Sequence, residues 1–152
     1  MKKILILTTL IIVILCLFKS ETIIIPKEAI RFRVIANSDA EQDQYIKQEI
    51  VKDLKQEIKK LNIIPKSLEI NRTIIKENIP NYKKTINSTL KRINKSEEYT
   101  IKYGMNYFPR KEYNGVIYEE GEYESLVVEI GDAKGENFWC VLFPPLCLLE
   151  GE

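Results

Sequence analysis

Near residue 96 the apolar pattern of this chain changes period, and that change limits the folds open to it. Before it, Ile46, Ile50, Leu54, Ile58 and Leu61 recur at helical spacing, as one stripe of a helix. After it, Tyr99, Ile101, Tyr103, Met105 and Tyr107 alternate with Thr100, Lys102, Gly104 and Asn106. That is the period of a half-buried strand. Upstream of both, Ile30, Phe32, Val34 and Ala36 share one face of a further strand, with Arg31 and Arg33 on the other. Ser38 followed by Glu41 reads as a capping box starting the first helix, which should end near Asn62, before Pro65. Ser67 is placed to cap a second helix carrying Leu68, Ile74 and Ile75; Pro80 breaks the pattern. Ile79, Tyr82, Ile86, Leu90 and Ile93 then resume the stripe.

Downstream, residues 109–115 read as a loop, 116–118 as a short strand, and 123–130 and 137–143 as two strands joined as a hairpin by Gly131 to Gly135. Strand, helices, then strands is an α+β order. It predicts a mostly antiparallel sheet with two or three helices packed on one face. The 152 residues suffice for one such domain and a leader. We assign residues 1–20 to a signal peptide or signal anchor, 21–29 to a linker and 30–150 to a single domain.

The leader reading rests on Lys2 and Lys3 ahead of an apolar run from Ile4 to Phe18. As a helix that run spans about 22 Å, short of the roughly 30 Å hydrocarbon core. Phe18-Lys19-Ser20 makes a poor cleavage site, so a cleaved signal and an uncleaved anchor both stand. In either case the two lysines stay in the cytoplasm and the remainder is exported. Leu15 before Cys16 does not suit a lipoprotein.

Composition narrows the chemistry. There is no histidine, which removes Ser-His and Cys-His nucleophile pairs and the usual zinc sites. No metal or other cofactor is expected. Residues 41–95 carry thirteen Lys/Arg and seven Asp/Glu, and residues 96–152 four and twelve. The lysines are spread around helices with no recognition motif, so nucleic acid is not an expected partner. Glu119, Glu120, Glu122 and Glu124 could supply a glycosidase carboxylate pair, although acidic residues at a turn are ordinarily just solvated. Cys140 and Cys147 invite a disulfide in an exported chain, worth about 2.5 kcal/mol on the entropic model. Two buried thiols are the alternative. Trp139 and Phe143 share a face of the last strand by alternation, and Tyr113 and Tyr118 flank the preceding loop. Such aromatics pack by default, and otherwise form a partner-binding surface.

Three segments carry a resemblance: Val34-Ile35-Ala36-Asn37-Ser38-Asp39, Gly121-Glu122-Tyr123-Glu124, and Asn137-Phe138-Trp139-Cys140-Val141-Leu142-Phe143-Pro144-Pro145-Leu146-Cys147. Together they resemble the stage II sporulation protein R family over roughly residues 28–149. Members often have Trp-Trp before the first cysteine, where this chain has Phe138-Trp139. The resemblance implies a signalling ligand, not an enzyme. It would be exported across the forespore membrane into the space between forespore and mother cell. There it would trigger a membrane-embedded aspartic protease of the mother cell, which processes the precursor of the early mother-cell sigma factor. The expected partners are that protease and, through the leader, the membrane, with no small-molecule substrate. We place the protease contact at Arg110, Tyr113, Tyr118, Trp139, Phe143, Pro144 and Pro145. A wall-polymer hydrolase or binding module using Glu120 or Glu124 with Tyr118 is the alternative.

Overall fold

The structure, a computed structural model, describes residues 23–24, 28–61, 67–113 and 116–145. The leader, Cys16 and Cys147 lie outside the described residues. The chain forms two compact units. The smaller holds Met1–Ile25 and Pro109–Glu120. In it, β1 (Ile23–Ile24) runs parallel to β5 (Val116–Tyr118), which pairs antiparallel with β4 (Lys111–Tyr113). The segment read as a loop at 109–115 therefore contains a strand, and residues read as linker supply another.

The larger unit is the α+β body. Its elements are β2 (Ile30–Ile35), α1 (Glu41–Lys60), α2 (Leu68–Glu77), α3 (Ile79–Arg92), β3 (Tyr99–Phe108), β6 (Gly121–Ile130) and β7 (Asn137–Phe143). The four strands lie in the order β3-β6-β2-β7. β3 with β6 and β2 with β7 are antiparallel, while β2 and β6 are parallel. This corrects the hairpin expectation: β6 and β7 are consecutive, but β2 lies between them. Residues 131–136 must cross the end of β2 rather than turn tightly.

Helix boundaries follow the punctuation in the sequence. α1 stops at Leu61. Ser67 caps α2 by accepting from Ile70 N at 3.4 Å. Asn78 ends α2 and begins α3, with Pro80 in the first turn, where a missing N–H costs nothing. The stripe Ile46, Ile50, Leu54 and Ile58 is buried against Ile30, Phe32 and Val34 of β2, Leu126, Val128 and Ile130 of β6, and Cys140 and Leu142 of β7. Burying each large aliphatic side chain contributes about 1.5–3 kcal/mol.

One member of this core is polar at its tip. Tyr82 is fully buried, and its hydroxyl has no hydrogen-bond partner among the described residues. Burial raises its pKa. Tyr82→Phe is therefore expected to leave stability unchanged or raise it by about 1 kcal/mol, because an unmet desolvation cost disappears. Urea unfolding of the two chains checks this, and a clear loss in the variant would mean the hydroxyl has a partner.

β7 also departs from simple alternation. Ile30 pairs with Phe143 and Arg31 with Val141, so Leu142 is the extra residue of a bulge. The bulge resets the side-chain period. Trp139 and Val141 share the face away from the helices, but Phe143, expected beside them, returns to pack against the helix-facing core.

Candidate functional site

The sheet face opposite the helices concentrates arginine and aromatic side chains. Arg31 and Arg33 alternate on central strand β2, so both project onto this face. The Arg31 guanidinium lies 3.3 Å from the Tyr123 ring centroid and 5.2 Å from that of Phe108. The Arg33 guanidinium lies 4.7 Å from the Trp139 ring and 5.8 Å from Phe108. Phe108 meets Trp139 edge-on at 5.1 Å and Tyr123 at 6.2 Å. Arg31, Phe108 and Tyr123 are buried, whereas Arg33 and Trp139 are half-buried. Burial pulls the Arg33 pKa down, and the charge of Glu129 offsets part of that. Glu129 itself is engaged by Lys102 at 2.6 Å and Thr100 at 3.1 Å.

At one end of the sheet the β2–α1 loop is locked under the β6–β7 crossing. Asn37 donates from Nδ2 to Asp43 at 2.8 Å and accepts at Oδ1 from Asp132 N at 2.9 Å. Ser38 Oγ donates to Asp43 at 2.6 Å and accepts from Ala40 N at 3.2 Å. Those bonds hold the Asp43 carboxyl below its ordinary range, that from Ser38 most. Asp39 accepts from Glu136 N at 2.6 Å, and Lys47 donates to Glu136 O at 3.0 Å. The expected Ser38–Glu41 capping box is absent: the N-cap is Ala40, with no side-chain bond. Ser38 ties the loop to Asp43 instead, while Asn37 and Asp39 fasten the crossing.

One carboxylate of the alternative reading, Glu124, is held in an ion pair. Glu124 is clamped by Arg72, Nε to Oε1 at 2.6 Å and Nη2 to Oε2 at 2.8 Å, and accepts from the Tyr103 hydroxyl at 2.8 Å. The bonds from Arg72 are the main cause holding its pKa below the usual carboxylate range. A general acid needs the opposite displacement. A groove of about 500 Å³ between α1 and α3 is polar, and its Arg92 is bonded to Asp53 and Glu49 at 2.7 and 2.8 Å.

The expected contact residues are not all brought together. Trp139 lies on the outer face, and Pro144 and Pro145 follow β7 half-buried. Phe143 sits on the helix side of the sheet. Arg110 belongs to the smaller unit, exposed and 3.6 Å from Glu119. Tyr113 and Tyr118 hold backbone positions in β4 and β5, and their side chains lie outside the described residues. Cys140 is buried toward the helices.

The family model for stage II sporulation protein R matches residues 26–152. The chain belongs to the stage II sporulation protein R family. Stage II sporulation protein R of Bacillus subtilis (strain 168) is 35% identical over 132 residues, covering 87% of this chain and 59% of that protein. The chain thus spans under two thirds of its relative's length. No solved structure matches it. This family member is accordingly a sporulation protein, and its segments of resemblance now have places. Residues 34–39 form the end of β2 and the locked corner, and 137–143 form β7. Sequence reasoning passed over Arg31 and Arg33 as the outer residues of a strand. The available signal was two long cations on alternate positions of a strand flanked by apolar residues. Such cations need a place in a sheet interior, and stacking on aromatic rings provides one.

Proposed function

We propose that this chain is an exported sporulation signal that activates a membrane-embedded aspartic protease of the mother cell, leading to processing of the precursor of the early mother-cell sigma factor. Membership of the stage II sporulation protein R family carries this reading. The outer sheet face adds to it, since an arginine–tryptophan stack suits a binding surface more than a catalytic one. On the larger unit the contact is drawn through Trp139, Pro144 and Pro145, with Phe143 on the core side of the same strand; on the smaller unit, taken by itself, Arg110, Tyr113 and Tyr118 are the contact residues. A Cys140–Cys147 disulfide, supported by the disulfide-bonded state of Cys140, would hold the end of β7 before a partner arrives. The leader directs export across the forespore membrane.

The test is coexpression of the chain, the protease and the sigma-factor precursor in a host that does not sporulate. Cleavage of the precursor is expected only with all three present. A precursor that stays intact beside both other proteins overturns the reading. Clearing of purified peptidoglycan by the chain alone would favour a wall hydrolase instead.

A further inference from the structure

We infer that Arg33 is the seat for a carboxylate on an acidic segment of the receptor protein, with Trp139 as the wall of that seat. The inference rests on the reading of the chain as a protein ligand and adds the chemistry of what it meets.

Arg33 differs from Arg72, Arg92 and Arg110, and, unlike the fully buried Arg31, it is only half-buried. Arg72 holds Glu124 and Glu69, Arg92 holds Asp53 and Glu49, and Arg110 holds Glu119. Arg33 forms no ion pair or hydrogen bond among the described residues. Its Nε is sealed from solvent without a partner, while the residue as a whole is only half-buried. The nearest acid on its face, Glu129, gives its carboxylate to Lys102 and Thr100. The guanidinium is thus partly desolvated without compensation by a bonded anion. Two rings hold it in place, which limits the rotamer freedom it would lose on binding.

The surroundings select the anion. A flat carboxylate matches the two-pronged edge of one guanidinium. A phosphate-rich membrane surface is held by clusters of exposed cations. Here Lys102 is already committed, and the neighbours of Arg33 across the sheet are Val127 and Trp139. With Arg31 fully buried, Arg33 is the half-exposed arginine of this face, and one such cation beside apolar surface and a tryptophan is the composition of a protein–protein hot spot.

The test uses the full chain in the three-protein coexpression. Arg33→Gln should reduce precursor cleavage about tenfold or more, while Arg33→Lys, which keeps charge but not the planar fork, should retain an intermediate rate. Melting of both purified variants should stay close to that of the parent. Arg33→Glu should abolish cleavage, and a Glu or Asp to Lys change in an exported segment of the protease should restore it. Normal cleavage with Arg33→Gln overturns the inference. So does loss of cleavage that merely tracks lost melting temperature in both the Gln and Lys variants. Failure of every such reversal to rescue Arg33→Glu overturns the acidic-segment assignment. If the parent chain itself supports no cleavage, the protease reading falls first, and the two failures are told apart.

Discussion

Gly135→Ala is expected to destabilise the chain by about 3 kcal/mol, a fall of about 10 °C in melting temperature. A Cβ on Gly135 would lie 2.2 Å from the Ser38 carbonyl oxygen and 2.4 Å from its carbon. Both are backbone atoms, so no side-chain rotation relieves the clash. The crossing segment would have to lift. Lifting strains the bonds from Gly135 N to Ala36 O (2.9 Å), Lys134 N to Asn37 O (3.1 Å) and Glu136 N to Asp39 Oδ1 (2.6 Å). Asp132→Ala is the control in the same loop. Its side chain is exposed and bonded to the equally exposed Lys134, so about 0.5 kcal/mol or less is expected. Thermal melts of the parent and both variants decide the matter. Equal melting of parent and Gly135→Ala would mean that the loops are not interlocked.

Adjacent residues of β2 should give opposite results. Phe32 is fully buried, lies in register with Leu126 and Cys140, and meets Phe138 edge-on at 6.1 Å. Phe32→Ala should cost about 3–5 kcal/mol through lost burial and the cavity left behind. Arg33→Gln, one residue on, should cost little stability and reduce precursor cleavage about tenfold or more in the coexpression assay. Urea unfolding beside the cleavage assay separates the two. A Phe32→Ala chain less than about 1 kcal/mol weaker than the parent would place Phe32 outside the core.

Periodicity made the helices and strand β3 legible, because each carries enough repeats to define one face. It could not reveal that β2 enters between β6 and β7. The residues of β2 look the same whichever strands flank them, and its partners lie 94 to 113 residues downstream. Ser38 was misread for a related reason. Ser-x-x-Glu is a local pattern, but Ser38 bonds Asp43 instead, and Asp39 beside it accepts from Glu136 in the crossing, a contact that exists only once the sheet has assembled. Phe143 was assigned to the face of Trp139 because alternation contains no signal for a bulge at Leu142. The aromatic part of the site was legible as composition around Trp139, and its cation was not. Arg33 gains its meaning from Trp139 and Phe108, each remote in sequence.

The place of β2 also sets a schedule for folding. It is the first strand of the larger sheet to leave the ribosome, yet both flanking strands are in the last third of the chain. Helices α1 to α3 can form locally in the meantime, but their apolar stripes have no sheet to cover. High contact order of this kind slows folding and postpones closure until synthesis is nearly complete. A nascent chain that stays open this long remains threadable, as the proposed export would require. The same topology means that a chain cut before Gly121 keeps β2 and all three helices and still has no partner strand for β2.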